Sequence, residues 1–445
     1  MNSILIFGAG KSASYLIDYL SKCCDKNKWE LIVCDADLAL AQSKIQRSKT
    51  AKAISKDVSN VAERKLLVKQ ADIVISMLPP HLHFLVAQDC LHYSKHLLTA
   101  SYVDEQIKSL EKEIREKNLL FLCEIGLDPG IDHMSAMKII HQVKKDGGEI
   151  TSFKSHCGGL VAPENDDNPW HYKITWNPGN IVMAGSSGAV YRSNGGTLKV
   201  PYQEVFSNCN EINIPGLFQL SWYPNRDSLS YIHNYGLDGI DTFIRTTLRF
   251  PSFCRGWNKI VNLGLTSLKD FEEIKDCKTY DQWFNKKLNR FSKYENSNHP
   301  SSGSGNEFFN DEFSQQIGYL GMSNETPIDF QFTSSAAILR RILETKLAIH
   351  PHDKDMIVML HEIGYKLNGE NKMIISSLIV KGQDQVHTAM AKTVGLPLGI
   401  AAKLIMEEKI KLTGLYIPVV PEIYEPVLGE LEKHSIKFNE EIKAL

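Results

Sequence analysis

The chain has 445 residues, with Lys+Arg 50 against Asp+Glu 52 and a formal net charge of -2. That length exceeds one small core, so two domains are the default, and the even charge removes the basic excess that a nucleic-acid partner would need. No apolar run reaches the ~18 residues of a membrane span, so no membrane partner is expected; the nine cysteines are scattered without a CxxC, which fits reduced thiols in a cytoplasmic protein with no metal site.

From the first residue, "MNSILIFGAG" has no positive leader before its apolar run, so a signal peptide is not expected. Apolar runs start near Ser3, Glu30, Ala53, Asp72, His96 and Leu119, and stretches with helical spacing separate them, such as Ser14 to Leu20 and "DEQIKSLEKEIREKN" from Asp104. This alternation predicts an α/β fold whose N-terminal part, residues 1–126, is a Rossmann domain with a doubly wound parallel sheet. Its ligand belongs at the carboxyl ends of the strands, and each run ends in a polar tip there.

Gly8-Ala9-Gly10-Lys11-Ser12-Ala13 is a G-x-G-x-x-A after strand one and before a helix. Gly8 permits the tight turn, Gly10 lets the backbone approach a pyrophosphate, and the helix start at Lys11 and Ser12 offers N–H groups. Asp35 ends strand two, where a carboxylate accepts hydrogen bonds from the adenosine ribose and repels a 2′-phosphate; this favours NAD over NADP, with a helix cap as the other reading and Asp37 competing for the ribose role. Asp57 lies near the adenine or caps a loop. Ser76-Met77-Leu78-Pro79 ends strand four and Ser101-Tyr102 follows strand five, on the nicotinamide side of the sheet. A capped strand end with a packed tyrosine fits the second tip equally well. Strand six ends in "EIGLDPGIDH", from Glu124 to His133, an unusually polar tip for a buried strand.

Beyond it the βα rhythm stops. Residues 127–386 read as a separate α+β substrate-binding domain, and 387–445 as a helical segment that packs back on the Rossmann domain. The stretch from Ser292, "SKYENSNHPSSGSGNEFFNDEF", reads as a surface loop. Three clusters stand out: "CGGLVAPENDDNPWHYKITWNP" from Cys157, "YPNRD" from Tyr223, and "IRTTLRF" from Ile244. Strand alternation puts Arg245, Thr247 and Arg249 on one face, either as a carboxylate clamp or as a solvated edge with surface ion pairs.

Together "EIGLDPGIDHMSAMK", "SHCGGLVAPENDDNPWHYKITWNP", "YPNRDSLSY", "RTTLRF" and "AMAKTVGLPLGIAAKLI…YIPVVPEIYEPVLGELE" closely resemble saccharopine dehydrogenases of the L-glutamate-forming type, in the same order along nearly the whole chain. The resemblance implies oxidation of L-saccharopine with a nicotinamide cofactor to an imine, which water splits into L-glutamate and L-2-aminoadipate 6-semialdehyde. Carried over by motif, Ser101, Tyr102, Arg226, Thr246 and Thr247 match substrate-binding positions, with Arg245 and Arg249 as further cationic contacts. Leu127 would meet the cofactor, and Asp128 both ligands. For proton transfer the candidates are Asp128, Tyr102, Cys157 and His133, the thiol as helper rather than nucleophile. His133 reads as a structural hydrogen-bonder, and Lys173 as a carboxylate binder or an ion-pair partner of Glu164 or Asp166. NADP-using relatives carry an arginine where strand two ends, whereas this chain has Cys34-Asp35, which again points to NAD; His156 and Val161 also depart from the family block. The resemblance makes a homodimer plausible. Other readings are a related reductase of a diamine–semialdehyde imine, of the carboxynorspermidine dehydrogenase kind, and a non-catalytic dinucleotide-binding sensor.

Overall fold

The structure is a computed structural model that describes residues 2–46, 48–298 and 309–444. Its strands are, in chain order, β1 (Ser3–Phe7), β2 (Glu30–Asp35), β3 (Ala51–Ser55), β4 (Ile73–Ser76), β5 (His96–Thr99), β6 (Leu120–Leu122), β7 (Glu149–Val161), β8 (Ala189–Ser193), β9 (Gly196–Val200), β10 (Asn210–Asn213), β11 (Gln219–Pro224), β12 (Arg226–Asp227), β13 (Thr242–Arg249), β14 (Asp355–Leu367), β15 (Glu370–Lys381), β16 (Gly414–Tyr416) and β17 (Asn439–Ala444). The chain divides into two compact units: Met1–Thr151 with His233–Leu237 and His361–Leu445, and Ser152–Ile232 with Asp238–Leu360.

The first unit holds a sheet of order β16-β6-β5-β4-β1-β2-β3, every pairing parallel. The reversal of strand order between β1 and β4 is the Rossmann switch point, so the expected α/β fold holds. All five residues of β1 are buried, as a central parallel strand covered on both faces requires. Leu5 and Phe7 enter a core with Val74, Leu97, Phe121 and Val86. The other covering layer comes from far along the chain. Helix Ala389–Met406 lies on helix Ser14–Asn27 so closely that a Cβ on Gly395 would stand 2.9 Å from Leu16 N, and one on Gly399 would stand 2.9 Å from Tyr19 Cδ1. It is long and apolar enough to cross a membrane, yet 72% of it is buried inside the protein, as a core helix is. β16 then pairs with β6, Gly414↔Leu120 to Tyr416↔Leu122. β15 and β17 pair antiparallel in the same unit.

In the second unit the strands run β10-β11-β13-β7-β14, with β8 joining β9, β12 and β13. Its core is aromatic: Trp170, Trp257, Trp283 and Phe253 are fully buried, and Phe253 stacks on Trp257 with centroids 5.3 Å apart. Lys287, 1% exposed, is neutralised by Asp270 at 2.5 Å and Glu273 at 3.0 Å, which offsets the cost of burying its charge. The expected surface loop from Ser292 is corrected in part: a helix spans Tyr280–Asn298, and 299–308 lie outside the described residues.

Candidate active site

In the first unit the glycine turn follows β1. Gly8 has φ +100, and a Cβ there would stand 2.8 Å from the Met77 carbonyl oxygen, so only glycine fits between the tips of β1 and β4. Gly10 is different. No atom lies within 4 Å of its missing Cβ, and no side chain caps the turn that starts at Lys11 and Ser12. Open space beside uncapped backbone N–H groups suits a pyrophosphate, so the turn fits a dinucleotide.

Asp35 does something other than expected. Its Oδ2 accepts from Ala9 N at 2.7 Å and its Oδ1 from Asp37 N at 3.0 Å, so the carboxylate clasps the glycine turn. Asp37, not Asp35, caps the next helix, accepting from Leu40 N. Asp57 is a loop cap, accepting from the Ser59 N–H at 2.8 Å and its hydroxyl at 2.7 Å. Met77 is held by its N–H donating to Phe7 O at 2.8 Å, and Leu78 packs partly buried against the core.

Three neighbouring tips carry the polar groups. Ser76 ends β4, and Ser101 and Tyr102 follow β5, both half-buried. Leu127 and Asp128 follow β6; Leu127 O accepts from Asp132 N at 3.1 Å, and Asp128 is half-buried. The bond between Asp128 and Pro129 is cis, and Gly130, φ +143, leaves no room for a Cβ against Gly126. Asp132 closes this turn by accepting from Gly130 N at 2.6 Å.

Two buried histidines, His83 and His133, tie these tips together. His83 bridges Ser76 Oγ (Nδ1, 2.8 Å) and Ser101 Oγ (Nε2, 2.7 Å). Burial pushes its pKa down to about 4, against a pull upward from Asp104. His133 joins Glu124 Oε2 (Nε2, 2.9 Å) to the Tyr235 hydroxyl (Nδ1, 2.6 Å). Glu124 in turn accepts from Val103 N at 3.0 Å through Oε1, and its N–H donates to Ser101 O at 3.0 Å. The Ser101–Val103 segment is thus fastened from below. Sequence reading offers His133 as a proton carrier or a structural hydrogen-bonder without naming its partners, because these stand 9 and 102 residues away.

In the second unit β13 and β7 pair in parallel, Thr246↔His156 and Thr247↔Cys157. Thr246 turns its hydroxyl to His156 Nδ1 at 2.7 Å, so Thr246 and Thr247 point to opposite faces and their side chains cannot share one ligand. Thr247 pairs in register with Tyr223 of β11, and on this face lie Cys157, buried, and Arg249. Arg249, 8% exposed, lies over the rings of Tyr172 (5.3 Å) and Phe253 (5.8 Å), with its Nη1 donating to Leu248 O and its Nε unsatisfied. Burial drives the Tyr223 phenol up to about 12, although Arg249 pulls it down. Arg245 stacks over Tyr231 at 4.5 Å. Arg226 is exposed, with φ +52, a left-handed conformation that non-glycine residues adopt at a cost. Lys173 belongs to the fold: Asp167 and Asp353 both hold it at 2.8 Å, in place of the expected Glu164 or Asp166.

A parallel sheet with an open glycine turn at its switch point, and with hydroxyl and carboxyl groups on adjacent strand tips, has the architecture of a dinucleotide-binding domain. Comparison with known proteins is more specific. Residues 4–122 match the family model described as the saccharopine dehydrogenase NADP binding domain, and residues 126–436 match the saccharopine dehydrogenase C-terminal domain. The chain belongs to the saccharopine dehydrogenase family. It is 30% identical to saccharopine dehydrogenase [NADP(+), L-glutamate-forming] of Saccharomyces cerevisiae, over 99% of both chains. It is 32% identical to alpha-aminoadipic semialdehyde synthase of Arabidopsis thaliana over 99% of its own length and 45% of that protein. With the mitochondrial synthase of Mus musculus the identity is 34%, over 98% and 47%. The chain therefore spans about half the length of these two relatives. The structure of apo saccharopine dehydrogenase (L-Glu forming) from Saccharomyces cerevisiae superposes over 100% of both chains, with a TM-score of 0.88 at 28% identity.

These findings correct the cofactor expectation. The matched nucleotide-binding domain is described as NADP binding, and the full-length relatives from Saccharomyces cerevisiae and Schizosaccharomyces pombe are named for NADP(+), so the preference for NAD fails. The weak point of that expectation lay in Asp35: each of its oxygens already accepts one backbone N–H of this chain, so a carboxylate at this strand end has a local structural duty and does not by itself report on the ribose.

Proposed function

We propose that this protein oxidises L-saccharopine with NADP+ and water to L-glutamate and L-2-aminoadipate 6-semialdehyde. The observation that carries the reading is the end-to-end likeness to relatives named for that reaction. Gly8, Gly10, Lys11 and Ser12 would hold the pyrophosphate of a bound dinucleotide, and Ser76, Met77, Leu78 and Leu127 would border its nicotinamide. That group would supply the acceptor for the hydride that leaves the lysine-derived ε-carbon.

The chain's own groups handle binding and protons. The substrate has three carboxylates; within the second unit the guanidinium groups of Arg226, Arg245 and Arg249 bind carboxylates bidentately, with the Thr247 hydroxyl as a lesser donor, and within the first unit Ser101 is a donor of the same kind. Thr246 contributes through its backbone, because its hydroxyl is engaged by His156. Asp128 takes the proton from the secondary ammonium, which frees the nitrogen lone pair to form the C=N bond as the C–H bond breaks. Tyr102 then relays a proton as water adds to the imine carbon; the nitrogen gains protons, the C–N bond breaks, and glutamate leaves as an amine. Cys157, in the second unit, is assigned a helper's part rather than a nucleophile's. A homodimer in the cytoplasm is part of the same proposal, tested by analytical ultracentrifugation and by fractionation.

The test is steady-state reduction of NADP+ with L-saccharopine at mildly alkaline pH, with glutamate assayed alongside. One glutamate per NADPH is expected. Tight NADPH binding without turnover would overturn the reading in favour of another imine substrate or a sensor.

A further inference from the structure

Ser76, His83 and Ser101 form a hydroxyl–imidazole–hydroxyl chain between the tips of β4 and β5, with contacts of 2.8 and 2.7 Å. The imidazole is 3% exposed, and its lowered pKa leaves it neutral at pH 7. Pro79 and Pro80 open helix Pro80–His92, whose first turn delivers His83 to this place.

A neutral imidazole donates at one nitrogen and accepts at the other, so the chain must run in one of two directions. In the first, the Ser76 hydroxyl donates to Nδ1, Nε2–H donates to Ser101 Oγ, and the Ser101 proton points outward. In the second, Ser101 donates to Nε2 and offers only lone pairs outward. A carboxylate accepts and never donates, so only the first direction suits a carboxylate ligand. The backbone of Ser101 is fixed without His83: its N–H donates to Thr99 Oγ1 at 3.2 Å and its carbonyl accepts from Glu124 N at 3.0 Å. What remains for His83 to set is the direction of one hydroxyl.

We propose that His83 is a positioning residue that aims the Ser101 hydroxyl as a hydrogen-bond donor to a carboxylate of the amino-acid substrate, with Ser76 fixing the imidazole tautomer. The inference rests on Ser101 binding the substrate, as proposed above. His83 touches neither substrate nor cofactor in this role and acts only through Ser101.

The test uses the full-length protein with L-saccharopine and NADP+, and compares S101A, H83N, H83Q and S76A. Glutamine places an N–H donor near the position of Nε2, whereas asparagine ends near Nδ1 and cannot reach Ser101. A lost hydrogen bond to a charged ligand raises KM for saccharopine roughly tenfold or more in S101A and in H83N, with kcat within about threefold and NADPH affinity within about twofold. H83Q is expected to return KM to within about threefold of the parent. If S101A leaves KM at the parental value, the substrate reading of Ser101 is wrong and this inference falls with it. If S101A raises KM while H83N does not, or H83Q is as impaired as H83N, the positioning role alone is overturned. Should H83N fail to fold, the S76A/S101A double variant decides: KM equal to that of S101A supports a chain acting through one hydroxyl, and additive losses refute it.

Discussion

At Gly8 the cofactor turn tolerates no side chain. A methyl there meets the Met77 carbonyl at 2.8 Å with the backbone held at φ +100, a region that costs a non-glycine residue ~1–3 kcal/mol. Gly8→Ala should therefore lower both thermal stability and NADPH affinity, the latter at least about tenfold, read by quenching of protein fluorescence on titration with NADPH. Unchanged affinity would mean that the turn is not the dinucleotide cradle. His83 carries a second residue-scale expectation. Its pKa falls from 6.5 in the unfolded chain to about 4 in the fold. Below pH 6.5 the unfolded chain binds a proton that the folded one refuses, so the stability held in the neutral imidazole is complete above about 6.5 and lost as pH falls through 4. His96 and His434 titrate in the same direction, because burial lowers them too. Thermal melts of the parent and H83Q between those pH values isolate the His83 part: the parent's Tm should fall more steeply. Equal slopes would place the loss elsewhere.

At the scale of elements, two glycines in helices separate packing from propensity. Gly395 in helix Ala389–Met406 gives Leu16 N and Ser12 O their room, at 2.9 and 3.2 Å from the missing Cβ. Gly395→Ala should cost ~1–3 kcal/mol in urea unfolding, by forcing that helix off the start of helix Ser14–Asn27, and should weaken NADPH binding with it. Gly429 in helix Pro421–Lys433 is exposed and has nothing within 4 Å; Gly429→Ala should stabilise by ~0.4–1 kcal/mol, through a more restricted unfolded chain. Five of the first six strands were legible in the sequence because buried parallel strands read as continuous apolar runs between polar tips, whereas β3, a half-exposed edge, was found only from Ala53. β16 was not, since three residues, Gly414 to Tyr416, give no period among the prolines of that tail. The glycine turn was legible from its spacing, whereas the duty of Asp35 was not: a carboxylate at a strand end looks the same whether it meets a ribose or Ala9 N. The histidine bridges were hidden by distance along the chain, Ser101 to His83 being 18 residues and His133 to Tyr235 being 102.

At the scale of the whole molecule, the first unit is assembled from three stretches, 1–151, 233–237 and 361–445. Its nucleotide-binding motif lies wholly in the first stretch, but that stretch is packed against the other two. Without 361–445, β6 loses its partner β16 and becomes an open parallel edge. Helix Ser14–Asn27 loses the cover that Gly395 and Gly399 bring against Leu16, Tyr19 and Leu20, all buried in the intact chain. Without Tyr235, His133 loses the acceptor or donor on its Nδ1, inside a residue that is fully buried. A fragment of residues 1–151 should therefore bind 8-anilinonaphthalene-1-sulfonate, show no cooperative thermal transition by circular dichroism, and fail to bind NADPH. Joining 361–445 to it through a flexible linker should restore a cooperative melt and NADPH binding, with stability below that of the full chain because Tyr235 is still missing. If the short fragment melts cooperatively and binds NADPH, the C-terminal stretch is an accessory to the unit, and its small-residue helix does not underwrite the stability of the cofactor turn.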